Sequence, residues 1–284
     1  MPTYRDSGVV LHSRYLRDFD RRYVMFLRDH GKVTLLAKGT RRSRSKMSPH
    51  LSSFGMVDVM VAKGKFMDRL AGVRLFRPFP RIIESLEKTA AAQSFFLAVD
   101  ALTRRELKEE RLFDLLVGFL ESLEAEEIGS GVRRSAVFDA AILKLTDILG
   151  TSAEIDECVI CRRTPESGGV LDVFRGGIIC PACRPISGVT VSASTLGFLR
   201  ELRDRPLGQV PFSGSAGERS AISAVVDALL LSQIEDRFAA LRYLRSVSSG
   251  PGQVVDAAGD GPGQAAAGTE AVMRACQNTE KLPK

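Results

Sequence analysis

The sequence predicts an α+β chain in several parts: a closed five-stranded barrel at the N terminus, then an all-α domain interrupted by a ribbon-like loop carrying four cysteines. Three observations predict it. Apolar residues alternate along short segments of the first 80 residues and recur at helical spacing from Arg81 onward. Cys158-x2-Cys161 and Cys180-x2-Cys183 face each other across an 18-residue spacer. With 284 residues and 44% hydrophobic content the chain can bury a real core, and its length fits about two domains.

The barrel is expected over residues 1–80. Its first strand runs from Ser7 to Tyr15. From Arg22 to Arg28, Tyr23, Met25 and Leu27 alternate with Val24 and Phe26, and Asp29-His30-Gly31-Lys32 supplies the turn into a third strand through Val33, Leu35 and Ala37. Val57, Val59 and Val61 mark a fourth strand, and after Lys63-Gly64-Lys65 a fifth runs from Arg69 to Phe76. Closing five short strands leaves no long open edge, and Pro78 and Pro80 end the run.

Between the third and fourth strands lies the most basic stretch of the chain, with Lys38, Arg41, Arg42, Arg44 and Lys46 within nine residues. The intervening serines and glycine predict a flexible loop with free backbone N–H groups, suited to phosphate oxygens. Residues 1–80 hold 17 Lys/Arg against 6 Asp/Glu, while the whole chain is only +6. That asymmetry points to a polyanionic partner. Tyr15, Tyr23, Phe26 and Phe54 lie nearby and are assigned to filling the barrel.

The helical domain is expected over residues 81–247. Three apolar stripes precede the cysteines: Ala91, Phe95, Val99 and Leu102; Leu112, Leu115, Leu116, Phe119 and Leu123; and Phe138, Ile142, Leu145 and Leu149, stopped by Gly150. A short helix opening at Ser194 follows, then a loop from Pro206 to Gly217. A longer helix carries Ile222, Val225, Val226, Leu229 and Leu230 and continues through Phe238, Leu241 and Leu244. Residues 248–284 are too small and polar to form a core and read as a disordered tail, with Cys276 incidental within it.

The insertion, residues 151–190, carries Cys158, Cys161, Cys180 and Cys183, whose spacing reads as one structural zinc ion per chain held by four thiolates, the spacer returning as a hairpin through Gly176-Gly177. A closed four-thiolate site has no open position for water, which argues against hydrolytic use. His12, His30 and His50 sit beside no nucleophile motif and are assigned surface or turn roles, and no phosphate-binding Gly-x4-Gly-Lys motif occurs. A binding protein rather than an enzyme follows. The opening residues MPTYRDSG carry charge before any apolar run, and no stretch reaches a membrane span, so the expected location is cytoplasmic and associated with the nucleoid, with no membrane partner.

Taken together, the basic barrel with AKGTRRSRS after its third strand, the helical domain, the inserted CxxC…CxxC and the segment FAALRYLRS resemble the RecO family of bacterial DNA repair and recombination mediators over residues 1–247. Two departures stand out: Ala239-Ala240 where family members often carry Lys-Ser, and the Gly/Ala-rich tail. The resemblance implies an oligonucleotide-binding barrel (OB-fold) that holds single- and double-stranded DNA. It also implies annealing of complementary strands and, with RecR, help in loading a recombinase onto strands coated by single-strand-binding protein. The acidic C-terminal tail of the single-strand-binding protein would suit a basic rim at Arg200, Arg203, Arg237, Arg242 and Arg245. The rival reading is a zinc-ribbon transcription or translation factor, in which the metal hairpin itself would contact nucleic acid. Cys158 to Cys183 has only a slight basic excess, Arg162, Arg163 and Arg175 against Glu166 and Asp172.

Overall fold

The computed structural model describes residues 2–17, 19–42, 44–51, 54–127, 134–185, 187–210 and 215–234. The expected helical extension through Phe238, Leu241 and Leu244, the tail with Cys276, and Arg237, Arg242 and Arg245 lie outside them.

Five strands close into a barrel in the order β1-β2-β3-β5-β4: β1 (Thr3–Arg17), β2 (Asp20–Leu27), β3 (Gly31–Ala37), β4 (Gly55–Ala62) and β5 (Arg69–Pro78). The long β1 pairs antiparallel with both β2 and β4, helped by a register shift between Val10 and His12 that bends the strand. A parallel bridge from Leu36 to Arg69 closes the ring between β3 and β5. Tyr23, Met25, Leu27, Leu35, Val57, Val59, Val61 and Leu70 fill its interior, joined by Leu51 of the short helix α1 (Ser48–Leu51).

The alternation along β2 has a second use. Val24 and Phe26 point out of the barrel, yet they are buried, in one apolar core with Val9 and Leu11 of β1 and the helical body. That body begins with α2 (Pro80–Glu84), α3 (Leu86–Leu102), α4 (Glu110–Ala125) and α5 (Ala136–Ile148). Phe95, Phe96, Val99, Leu112 and Phe113 belong to the same core. Tyr23 alone of the four assigned aromatics fills the barrel: Phe26 faces the helices, Phe54 packs on their core with its ring 6.0 Å from that of Phe96, and Tyr15 is 46% exposed at the far end of β1. Periodicity marks a face as apolar without saying what covers it.

Helix starts follow local capping. Ser85, Ser135 and Ser192 accept N–H bonds from Lys88, Phe138 and Thr195, starting α3, α5 and α6 (Ala193–Asp204). The cap of α6 is thus Ser192, and Ser194, expected to open it, lies within its first turn. Ser215 and Glu218 form a reciprocal capping box at α7 (Ala216–Gln233). Arg134 joins α5 to α7 through Asp139 at 2.5 Å and Asp227 at 2.6 Å.

The seam between barrel and helices also carries a buried polar cluster. Lys32 is 7% exposed, and its ammonium donates to the Asp100 carbonyl (2.6 Å), Asp100 Oδ1 (2.9 Å) and the Thr103 carbonyl (2.6 Å), using all three of its protons. His12 Nε2 lies 2.7 Å from Asp100 Oδ2, so this histidine sits in the interdomain seam and not on the surface. Gly31 adopts φ 63° beneath the Leu107 carbonyl, where a Cβ would sit 2.1 Å from oxygen. Only glycine fits that turn. Burial opposes ionisation of Asp100, but hydrogen bonds from His12 and Lys32 outweigh it and hold the carboxyl down at about 2.

Lys32→Met should cost about 2–3 kcal/mol in urea unfolding at neutral pH, because it removes the donor to the Asp100 and Thr103 carbonyls and leaves the partly buried Asp100 carboxylate with His12 alone. The stability that Asp100 contributes is complete above its ordinary value of 3.8 and is lost as pH falls toward about 2. The gap between wild type and variant should therefore hold from neutral pH down to about 3.8 and narrow from there toward about 2.

Candidate nucleic-acid interface and metal centre

The basic segment follows β3 directly and is a chain of turns. The Gly39 N–H donates to Asp20 Oδ1 (2.7 Å), that of Arg41 to the Phe19 carbonyl (3.1 Å), that of Arg42 to the Gly39 carbonyl (3.1 Å) and that of Ser45 to the Arg42 carbonyl (2.9 Å). Those four N–H groups are spent on the fold and are not the free backbone donors that were expected. The side chains of Lys38, Arg41, Arg42, Arg44 and Lys46 are all exposed.

The loop leans on the β1–β2 end of the barrel. The Arg21 and Arg41 guanidiniums lie 4.7 and 4.6 Å from the centre of the Tyr15 ring, and Arg42 lies 5.5 Å from that of Phe19. Arg21 also donates to the Tyr15 hydroxyl at 3.0 Å. Each such cation–π contact is worth about 0.5–1 kcal/mol at an exposed site. Between loop and barrel opens a cleft of about 430 Å³ lined by Arg21, Thr40, Arg41, Arg42, Ser45, Ser48 and Pro49. Among the described residues its lining offers guanidiniums and hydroxyls and no carboxylate. Such a surface attracts phosphate.

Arg21 and Phe19 are the parts that sequence reasoning missed, and Tyr15, for which stacking on bases was the lesser alternative to filling the barrel, is exposed. The signal available was an aromatic flanked by charges in the segment DFDRR, where no apolar period accounts for Phe19.

The four predicted cysteines do converge. Their sulfurs all lie within 4.8 Å of one another, and none is in a disulfide. The first knuckle turns on Arg162 at φ 61°, whose N–H reaches the Cys158 carbonyl at 2.9 Å. The second is a 3-10 turn, Pro181–Cys183, followed by Arg184 at φ 50°. A three-stranded sheet in the order β7-β6-β8 supports them, with β6 (Gly169–Asp172), β7 (Gly177–Ile179) and β8 (Val189–Val191). Cys161 and Cys180 sulfurs are 3.7 Å apart, far beyond a disulfide and close to the ~3.8 Å that bonds of ~2.3 Å to one tetrahedral ion impose.

Burial opposes ionisation of Cys158, but N–H groups of Cys161, Cys180 and Ile160 aim at its sulfur and bring the thiol down to about 6. The Cys161 sulfur beside Cys183, and its own burial, push that thiol up to about 12. Four sulfurs this close suit a metal ion, which favours all of them as thiolates.

The cysteine loop is tied to the helical body. Leu171, Ile178 and Val191 of the small sheet enter the main core. Arg200 donates to Asp156 Oδ1 (3.0 Å) and the Ile155 carbonyl (2.7 Å), and Arg203 donates to Asp156 Oδ2 (2.6 Å). Two of the five arginines expected to form a partner rim therefore clamp the segment just ahead of Cys158. No helix among the described residues is long and apolar enough to cross a membrane.

Comparison with known proteins places these features in a family. Residues 1–79 match the family model for the recombination protein O N terminal, and residues 83–242 match that for the recombination protein O C terminal. The chain is 32% identical over 235 residues to a DNA repair protein RecO of Rubrobacter xylanophilus, covering 81% of this chain and 92% of the relative. It is 30% identical over 246 residues to a DNA repair protein RecO of Frankia casuarinae, covering 86% and 99%. With an OB-like barrel joined to a helical body bearing a four-cysteine cluster, and both family models matched in order, the chain belongs to the RecO family of DNA repair and recombination proteins.

Proposed function

We propose that this chain is a non-enzymatic recombination mediator that binds single- and double-stranded DNA through the loop after β3, anneals complementary strands, and works with RecR to help load a recombinase on strands coated by single-strand-binding protein. The observation that carries the DNA-binding part is the cleft of arginines and hydroxyls, lined by no carboxylate among the described residues, beside the exposed ring of Tyr15. Annealing requires two polyanions to approach. Lys38, Arg41, Arg42, Arg44 and Lys46 lower that repulsion by neutralising phosphates, and the hydrogen-bonded turns at Gly39, Arg41, Arg42 and Ser45 reduce the backbone freedom lost on binding. The annealing and loading steps and the two protein partners come from family membership, and the basic surface supports the first of them.

Zinc is the ion we assign to Cys158, Cys161, Cys180 and Cys183: a four-thiolate tetrahedral set favours it, and when bound it would serve as a structural cross-link. The basic rim for an acidic partner tail is proposed at Arg200 and Arg203, with Arg237, Arg242 and Arg245 beyond the described residues. A tail carboxylate reaching Arg200 or Arg203 competes with Asp156 for the same guanidinium protons.

Five phosphate contacts would give a log-affinity slope of about −3.5 against log salt on single strands. The triple variant Arg41→Ala, Arg42→Ala, Arg44→Ala should weaken binding irrespective of sequence and flatten that slope by about 2 in salt-titrated anisotropy. The same variant should lose acceleration of strand pairing in a fluorescence annealing assay. An unaltered slope would remove the loop from the interface.

Cys161→Ser should release zinc, read by a chromogenic chelator, and lower the melting temperature. DNA affinity should stay within about two-fold, because the charge lies on the barrel. Loss of DNA binding at an unchanged melting temperature would instead make the cysteine hairpin a nucleic-acid reader.

A further inference from the structure

The turn between β4 and β5 holds an aromatic ring in solvent by a built device. Phe66 is 95% exposed in the sequence Lys63-Gly64-Lys65-Phe66-Met67-Asp68. The turn around it is braced from inside. Asp68 Oδ1 accepts the Gly64 N–H at 3.0 Å, and Asp68 Oδ2 pairs with the Lys63 ammonium at 3.1 Å. A Cβ on Gly64 would lie 2.0 Å from the Met67 carbonyl oxygen, so the backbone closes tightly on itself there. A slack loop would let an exposed phenyl ring fold back onto the barrel. This one keeps it out.

Its surroundings are basic. Lys65 Nζ lies 5.6 Å from the centre of the Phe66 ring and is exposed, and the turn's single carboxylate, Asp68, is committed within it. The turn also adjoins the loop after β3: the Asp68 carbonyl accepts the Leu36 N–H at 2.9 Å, two residues before Lys38. Chain geometry limits the path from Phe66 to Lys38 to about 20 Å, inside the span of the ~4–16 nucleotides that one OB barrel occupies. A protein or lipid partner would favour an apolar patch around the ring, whereas here the exposed ring stands beside the Lys65 ammonium. That combination suits stacked bases joined by phosphates.

We propose that the β4–β5 turn is a stacking finger for unpaired nucleobases, with Phe66 as platform and Lys65 as its phosphate contact, extending the cleft at Arg21, Arg41 and Arg42 along a single strand. The proposal rests on the DNA-binding reading above and adds a preference for unpaired over paired bases, because a duplex keeps its base faces stacked on one another.

The full chain contains no tryptophan, so Phe66→Trp introduces a unique fluorophore at the tip. Oligothymidylate of roughly 20 nucleotides, long enough for one barrel, should quench its indole emission, and a blunt duplex of equal length should quench it far less. Phe66→Ala should weaken binding of the oligothymidylate by about 5- to 100-fold while duplex affinity stays within about two-fold. Because the side chain is almost wholly exposed, the melting temperature of both variants should match wild type. Unchanged emission at saturating oligothymidylate, equal quenching by duplex, or equal losses for both probes would overturn the finger. If wild type binds both probes and Phe66→Ala binds like it, the finger fails alone. If wild type binds neither, the DNA-binding reading fails with it.

Discussion

The structure depends on how the outer face of the β1–β2 hairpin is covered. Val9, Leu11, Val24 and Phe26 would be water-exposed on an isolated barrel, and burying each such side chain stabilises the fold by roughly 1.5–3 kcal/mol. The helices α3 and α4 supply that cover, and the Lys32 ammonium, with His12, fixes its register by satisfying two carbonyls and the Asp100 carboxylate at the seam. Barrel and helices are thereby joined through one continuous core. The covered face is also unavailable to a ligand, and oligonucleotide-binding barrels otherwise use the face of strands two and three together with adjoining loops. The surface proposed for binding is the rim where β1 meets β2, where the loop after β3 begins, and where β4 turns into β5.

That rim shows why a basic loop should be ordered. A long flexible arginine-rich segment would lose much conformational entropy on each encounter with DNA, whereas turns already closed by Asp20, the Phe19 carbonyl and the Gly39 carbonyl leave only side chains to settle. Tyr15 and Phe19 hold the arginines by their ring faces, a grip that keeps the guanidinium edges open to phosphate oxygens.

The metal centre stands apart from this surface in chemistry. Four sulfurs around one ion would leave no position for a reacting group, and two flanking carboxylates are paired internally: Asp156 with Arg200 and Arg203, and Asp172 with Arg175 at 3.6 Å. The small sheet inserts Leu171, Ile178 and Val191 into the helical core, so the cysteine loop completes that core rather than projecting from it. What the cysteines contribute is the shape of a surface that holds α6 and α7 in place.

The strands, the helices and the cysteine quartet were legible from the sequence because each is written in local terms: a period of two, a period near 3.6, a pair of C-x2-C knuckles. The basic loop was legible for the same reason, since five charges within nine residues need no fold to be seen. The tertiary structure alone decided what each face meets. His12 finds Asp100 across 88 positions and Arg200 finds Asp156 across 44, and no period or propensity encodes either partner. Tyr15 and Tyr23 are the same residue type on neighbouring strands. One is exposed under two guanidiniums and the other fills the barrel, because barrel closure and helix docking set their environments. Local chemistry determined the pieces. The long-range burial of the β1–β2 face determined which of them were left at the surface to act.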